Sequence, residues 1–232
     1  MSSDENFQKG DQKYGRLFVL LNKNTYLCRK EITMITKLSG EGLWFTSDTH
    51  FNHRNILQFT SRPWETVEEH DNALIENWNN LVGVDDTVFH LGDFCFGNPQ
   101  KIMEVREKLN GNIILIRGNH DDKNLQRSVW GIFDEVLYQA RIQVDGRTVY
   151  LNHFPFLCFA HADPSMYKDY SVNLFGHVHS GPVTKSKDVS RLDCLYPTQY
   201  DVGVDNNNYK PVSWKDIDDI INKQIENWKH TD

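Results

Sequence analysis

The chain has 232 residues, of which 39% are hydrophobic and 12% aromatic, and its 25 basic and 32 acidic side chains give a formal net charge of −7. This composition excludes an intrinsically disordered chain, and the length suffices for one large domain whose core needs no disulfide staples. The acidic balance argues against broad contact with nucleic acid or an anionic membrane, but not against a small anion, because a bound cation reverses the local field.

In chain order, residues 1–13 are polar and are expected to form a disordered tail. Residues 14–42 read as an N-terminal extension. Within it, 16–28 form two strands around the turn Asn22-Lys23-Asn24, and Met34 offers an alternative start. The main domain is expected over 43–232. Leu43–Thr46 reads as a buried strand that ends at Ser47-Asp48. Residues 65–82 have helical spacing, with Val67, Leu74, Trp78 and Leu81 on one face and Glu65, Glu68 and Glu69 in the first turns. Thr87–Leu91 is the next strand, ending at Gly92-Asp93. Pro99 opens a helix with Ile102, Val105 and Leu109 on one face, stopped by Asn110-Gly111. Ile113–Ile116 is an apolar strand that runs into Arg117-Gly118-Asn119-His120.

Arg141–Val144 and Thr148–Leu151 flank Asp145-Gly146 as a hairpin that leads to His153. Val172–Phe175 is a strand ending at Gly176-His177. A last helix spans about Ser213–Trp228, with Ser213 as cap, Asp216 completing a capping box, and Ile217, Ile221 and Trp228 facing inward. A β-α-β-α-β opening followed by further strands indicates an α/β domain with a mixed sheet or sheets. The four cysteines, Cys28, Cys95, Cys158 and Cys194, share no C-x-x-C spacing. They read as reduced, mostly buried thiols of a cytoplasmic protein. No apolar stretch reaches the length of a membrane span, and Leu17–Leu21 is too short for a signal-peptide core.

Each strong strand ends in the same chemistry: Asp48 and His50, then Asp93, then Asn119 and His120, then His153, then His177 and His179. Ligands of open α/β sheets bind beyond the carboxyl ends of strands, so separate strand ends can converge on one spot. Asp48/His50 and His177/His179 are i, i+2 pairs, whose members point the same way on extended backbone. With His120 set aside, seven candidate ligands remain. That is too many for one open zinc site and suits two metals that share a bridge. Carboxylate and imidazole donors without thiolate fit Mn, Fe, Zn or Ni. Gly92, Gly118 and Gly176 would let several backbones crowd around one cluster.

These motifs, Asp48-Thr49-His50, Gly92-Asp93, Gly118-Asn119-His120-Asp121, His153 and Gly176-His177-Val178-His179, resemble in kind and order the five motifs of the calcineurin-like metallophosphoesterases. The resemblance spans roughly residues 43–205. Thr46–Leu57, Leu115–Asp121 and Asp201–Asp205 are similar to a group of short, cap-less bacterial and phage phosphoesterases. It implies an α/β (α+β) fold, a four-layer α-β-β-α sandwich of two mixed sheets with two divalent metals at one sheet edge, manganese favoured. It assigns Asp48, His50, Asp93 and His179 to one metal and Asp93, Asn119, His153 and His177 to the other, with Asp93 bridging.

The implied reaction is attack of a metal-bridging hydroxide on the phosphorus of a phosphodiester or phosphomonoester, with His120 as general acid. Asp121 either orients His120 or caps the turn. Arg117, His53 and Arg54 are candidates for holding phosphate oxygens, against the alternative of surface salt bridges. The aromatic stretch Phe154–Tyr170 either walls the pocket or packs under a loop.

The protein phosphatases of the superfamily carry Asp-Arg-Gly after the second motif, whereas this chain reads Asp93-Phe94-Cys95, which weighs against a phosphoprotein substrate. The expected partner is a small phosphoester, with no membrane contact, in a monomer or small homo-oligomer. The competing readings are a non-catalytic scaffold on the same fold, which would be expected to have lost ligands, and a nuclease, which would want a basic groove.

Overall fold

A computed structural model of the chain describes residues 36–124, 127–183 and 186–228. The expected tail, the strand pair over 16–28, Met34 and Cys28 lie outside the described residues. Among those described, strands β1 (Thr36–Leu38), β6 (Gln139–Val144), β7 (Arg147–Asn152), β8 (Val172–Phe175) and β9 (Gln199–Asp201) form one sheet in the order β1-β6-β7-β8-β9. Strands β2 (Leu43–Thr46), β3 (Thr87–His90), β4 (Asn112–Ile116), β5 (Glu135–Leu137) and β10 (Val212–Ser213) form a second in the order β10-β2-β3-β4-β5. Both sheets are mixed. β6–β7 is antiparallel in the first and β10–β2 in the second, and every other pairing is parallel. The fold is the α/β arrangement of two mixed sheets that the motif pattern implied.

The sheets face each other across a core that mixes Phe45, Phe89 and Leu91 with Val144, Val149, Leu151 and Leu174. Helix α5 (Trp214–Trp228) lays its apolar stripe, Ile217, Ile221 and Ile225, against this core. Helices α2 (Val67–Asn79) and α3 (Pro99–Glu107) cover the outer face of the second sheet, where Leu74, Trp78, Ile102 and Val105 meet Val88, Ile113 and Leu115. Short helices α1 (Ile56–Phe59) and α4 (Asp121–Asn124) follow β2 and β4.

Local chemistry accounts for the element ends. Thr66 caps α2 through a capping box with Glu69. Asn98 caps α3, with Pro99 at its first position. Asp145 (φ 48°) and Gly146 (φ 87°) make the two-residue turn between β6 and β7. Because β2, β3 and β4 run parallel, as do β7, β8 and β9, their carboxyl ends gather along one edge of the sandwich.

The structure revises several local expectations. Helix α2 stops at Asn79, so Leu81 leaves the helical face and is 39% exposed, while His70 takes a fully buried place on it. Ser213 caps the last helix as expected, its Oγ accepting from Asp216 N–H (3.1 Å), but it lies in β10 and its hydroxyl, rather than its backbone N–H, meets the Asp216 carboxylate. The inward residues of α5 end with Ile225, and Trp228 is half-buried. Of the three described thiols only Cys95, packed under α2 and α3 with Phe51 and Phe94, is buried; Cys158 and Cys194 are exposed. A strand, β1, precedes Leu43 and pairs with β6. No described helix is long and apolar enough to cross a membrane.

Replacing Ile217, fully buried in the core between the sheets, by Ala is expected to cost about 2–5 kcal/mol in urea unfolding. Thr66→Ala, which removes only a cap, is expected to cost about 1 kcal/mol with the same denaturant slope.

Candidate metal centre

The strand ends converge as the motif pattern required. Asp48 and His50 follow β2, Asp93 follows β3, Asn119 and His120 follow β4, His153 follows β7, and His177 and His179 follow β8. The Nε2 atom of His50 lies 3.9 Å from Asp48 Oδ1 and 3.6 Å from Asp93 Oδ2. His153 Nε2 is 3.6 Å from Asp93 Oδ2 and 3.0 Å from Asn119 Oδ1. His179 Nε2 is 3.9 Å from Asp48 Oδ1. The His177 ring stands edge-on to that of His153 at 5.1 Å. Two groups of donors result, Asp48 with His50 and His179, and Asp48 with Asp93 and His153.

The convergence is not made on extended backbone. Asp48, His50, Asp93, His177 and His179 all have φ between 49° and 71°, a left-handed conformation that costs a residue with a Cβ free energy of order 1 kcal/mol. The i, i+2 pairs therefore meet through turns, because the β2 and β8 ladders end at Thr46 and Phe175 before the motifs begin. Neighbouring backbone holds these turns in place. Asp48 N–H donates to the Gly92 carbonyl (2.9 Å), His50 N–H to that of Asp93 (3.0 Å), and His177 N–H to Asp48 Oδ2 (2.8 Å). A Cβ on Gly118 would run into the Asp93 carboxylate, and one on Gly176 into Ser47 and Asp48, so these close approaches need glycine.

Two of the imidazoles are oriented by their other nitrogen. His153 Nδ1–H donates to the Leu91 carbonyl (2.7 Å) and His179 Nδ1–H to Asp205 Oδ2 (2.6 Å). Both Nε2 lone pairs are thereby aimed at the cluster. Asp205 is locked in turn by Arg62. This guanidinium, fully buried, donates to both Asp205 oxygens (2.9 and 2.8 Å), to the Asp48 and Thr49 carbonyls (2.7 and 2.9 Å), and to His70 Nε2 (2.7 Å). His70 passes its own proton to Asp71 (2.8 Å), whose carboxylate also accepts from Asn52 N–H. Nothing in the sequence pattern marks Arg62 or the role of Asp205. A lone arginine after a helix has no spacing signal, and only its 143-residue separation from Asp205, closed by folding, gives it a partner.

The electrostatics describe a site that wants cations. Asp48 and Asp93 are 0% and 2% exposed. Burial, then repulsion from Asp48 and Asp121, raises Asp93 above the carboxylate range. Burial keeps His50, His153, His177 and His120 below the usual imidazole value. Burial also pushes His90 down to about 3, and burial with nearby His120 pushes His53 down to about 4. Burial alone would lower His179, but Asp48 and the bond to Asp205 outweigh it and raise it. Burial would raise Asp205, yet Arg62 and His179 hold it well below the carboxylate range.

The donor set fits divalent metals. Among the described residues, Asp48 Oδ1 and His50 Nε2 are buried without a hydrogen-bond partner. His153 Nε2 and Asn119 Oδ1 face each other at 3.0 Å, although the proton of His153 is already committed to Leu91. Lone pairs that face one another in a dry cleft are costly unless a cation lies among them. Carboxylate, imidazole and amide donors without thiolate match the harder and borderline divalent ions.

The remaining candidates divide. His120 is the open member of the cluster, 42% exposed at the side chain, with Nε2 3.9 Å from Asp93 Oδ2 and its backbone N–H bonded to Asp93 Oδ1 (2.9 Å). Asp121 takes up the second of its two expected roles. Its buried carboxylate accepts from the backbone N–H groups of Gly118 (2.8 Å), Asp93 (2.7 Å) and Phe94 (3.0 Å), pinning two motif loops together. Its pKa, raised by burial to about 6, is restrained by those three donors. His53 joins the cluster, with Nδ1 3.2 Å from His50 Nδ1. Arg117 does not face it. Its guanidinium sits between Trp130 and Tyr138 and pairs with Asp122 and the Tyr138 hydroxyl. Arg54 is exposed. Of the aromatic stretch only Phe154 reaches the site, against His153 and His177 at 4.9 and 4.6 Å; Phe156 and Phe159 pack on Tyr150.

Comparison with known proteins gives this constellation its relatives. The sequence profile described as the calcineurin-like phosphoesterase superfamily domain matches residues 43–194. The uncharacterized protein MJ1445 of Methanocaldococcus jannaschii is 34% identical over 196 residues, covering 83% of this chain and 96% of its own. The gene 66 protein of Mycobacterium phage L5 is 32% identical over 202 residues, 77% of this chain and 93% of the phage protein. Among solved structures, the protein of unknown function AQ665 from Aquifex aeolicus matches with a TM-score of 0.57 at 27% identity, over 77% of this chain and 98% of that one.

Loading with Mn²⁺ is expected to release protons, because Asp93 and His179 hold theirs to raised pH in the metal-free cluster. Binding should therefore tighten as pH rises, and calorimetry in buffers of different ionisation enthalpy reads the proton count. Asp205→Asn, which leaves His179 without its anionic acceptor, is expected to weaken metal binding by about 10–100-fold in the same titration.

Proposed function

Because the chain belongs to the calcineurin-like phosphoesterase superfamily, we propose that it is a binuclear metal-dependent hydrolase that cleaves a small phosphodiester in preference to a monoester. The observation that carries the reading is the convergence of Asp48, His50, Asp93, His153 and His179 at one edge of the sandwich, with Asn119 and His177 beside His153 and with Asp48 Oδ1 and His50 Nε2 left buried without a partner among the described residues. Divalent cations bound there supply Lewis acidity, lowering the pKa of water and neutralising charge on the phosphoryl oxygens. Asp93 serves both halves of the cluster, since one of its oxygens lies 3.6 Å from His50 on one side and from His153 on the other. Asp48, His50 and His179 complete the first half. Asn119, His153 and His177 complete the second. His120 stays off the ligand set with its ring open to solvent, and gives its proton at Nε2, the nitrogen nearer Asp93, to the departing oxygen.

The preference for a diester follows from what does not face the cluster. Arg117 is engaged by Asp122 and Tyr138, and Arg54 is exposed. Among the described residues, Arg62 is likewise used up by Asp205, His70 and two backbone carbonyls, so neither it nor Arg117 offers the centre a free guanidinium fork to neutralise the second charge of a monoester. Manganese is the favoured metal, and a small ester from solution is the favoured partner.

The test is hydrolysis of a nitrophenyl phosphodiester against the matching monoester by protein stripped of metal and reloaded with Mn²⁺. Faster diester cleavage is expected; faster monoester cleavage overturns the preference, and activity on neither removes the hydrolase. His120→Asn is expected to keep both ions and lose about 10²–10⁴-fold in kcat on a diester with an alkoxide leaving group. A nitrophenolate leaves unaided, so the loss should be smaller there. Asp93→Asn is expected to impair both metals, read by elemental analysis.

A further inference from the structure

We propose that His53 is a positioning residue that holds the His50 imidazole in its metal-binding tautomer and turns its own Nε2–H to the open mouth of the site beside His120. The inference rests on the metal-dependent reading above but concerns a residue outside the seven donors.

The tautomers follow from the partners. His50 Nε2 is buried, has no hydrogen-bond partner, and lies within 4 Å of Asp48 and Asp93. Ligating from Nε2 requires a lone pair there and places the proton of the neutral ring on Nδ1. His50 Nδ1 meets His53 Nδ1 at 3.2 Å. Two nitrogens at that distance share one proton, so His50 donates and His53 accepts. His53 must then carry its own proton on Nε2. That atom has no partner among the described residues and is not sealed from solvent.

Of the other metal-facing histidines, His179 is oriented by a carboxylate, that of Asp205, and His153 by a carbonyl, that of Leu91. His50 has neither, and His53 stands where that acceptor would be.

The acceptor is held rigidly. The His53 ring lies flat on Phe96, with centroids 3.9 Å apart and planes 9° from parallel. Phe96 is fixed by its N–H to the Phe51 carbonyl (2.8 Å), and its own carbonyl accepts from Asn52 (2.8 Å). The stack belongs to the wall that also carries His120, whose ring is 5.1 Å from Phe96 and 6.3 Å from His53. A phosphoester on the cluster thus meets two imidazoles on one side: His120, which gives up its proton, and His53, whose N–H holds a phosphoryl oxygen.

Two variants separate the roles. His53→Phe keeps the stack and removes both nitrogens. His53→Asn places an amide oxygen near the Nδ1 position and reaches no further. In Mn²⁺ titrations followed by calorimetry, His53→Phe is expected to weaken one of two ions by about 10–100-fold, and His53→Asn to recover most of it. With the nitrophenyl diester under saturating Mn²⁺, His53→Asn is expected to raise KM about tenfold with kcat little changed.

Wild-type affinity for both ions in His53→Phe overturns the positioning role, as does failure of His53→Asn to recover it. An unchanged KM in His53→Asn overturns the contact with substrate. Imidazole ¹⁵N spectra of the metal-free protein judge the pair without any activity: a protonated Nδ1 on His50 and a bare Nδ1 on His53 are expected, and the reverse overturns the proposal. A wild-type protein that shows these tautomers yet cleaves no ester would sink the hydrolase reading and leave the His50–His53 bond standing.

Discussion

Two carboxylates, Asp48 and Asp93, are buried side by side at the edge where the two sheets meet, and most of the surrounding structure answers that one constraint. Neither can lie there charged without compensation. Some of it comes from the backbone: His177 N–H binds one oxygen of Asp48, and His120 N–H one of Asp93. The other oxygen of each faces Nε2 of His50, whose pKa burial holds well below the usual imidazole value. What the described residues leave undone at Asp48 Oδ1 and His50 Nε2, a divalent cation would complete.

Holding such a cluster requires strain at its members and rigidity behind them. Five of the seven donors occupy left-handed backbone, which persists only when the surroundings over-determine it. Arg62 does much of that work. From one guanidinium it fixes the carbonyls of Asp48 and Thr49, the carboxylate of Asp205 and the ring of His70. Asp121 does the equivalent for the second and third motifs by gathering three N–H groups. Thr49 adds a third tie. Its hydroxyl donates to the Phe94 carbonyl and accepts from the buried, neutral His90. A buried ion pair with every donor used is a demanding structure, and losing one partner leaves a bare charge in the core.

The strands that carry the site were legible because each is a short apolar run closed by Gly, Ser or a polar pair. β2, β3, β4, β7 and β8 lie where these runs predict them. The strands that escaped, β1, β5, β9 and β10, are two or three residues long and owe their existence to a neighbour's unpaired edge. Leu81 was assigned to a helical face by spacing, yet the helix ends before it. His70 was unremarkable in sequence and became the buried partner of Arg62.

The linear order of residues determined which donors arrive at the edge and in what sequence, because strand periodicity and glycine placement are local properties that need no distant contact. It also determined the chemistry on offer, imidazole and carboxylate without thiolate. Only the tertiary structure decided how those donors are aimed. The ligand pairs meet through left-handed turns rather than extended backbone. Arg117 turns to Tyr138 and Asp122 instead of the cluster, and Asp205, held by Arg62, accepts directly from His179. Orientation of a side chain depends on partners up to 143 residues away. No spacing rule along the chain encodes a contact that exists only after the two sheets have closed on one another.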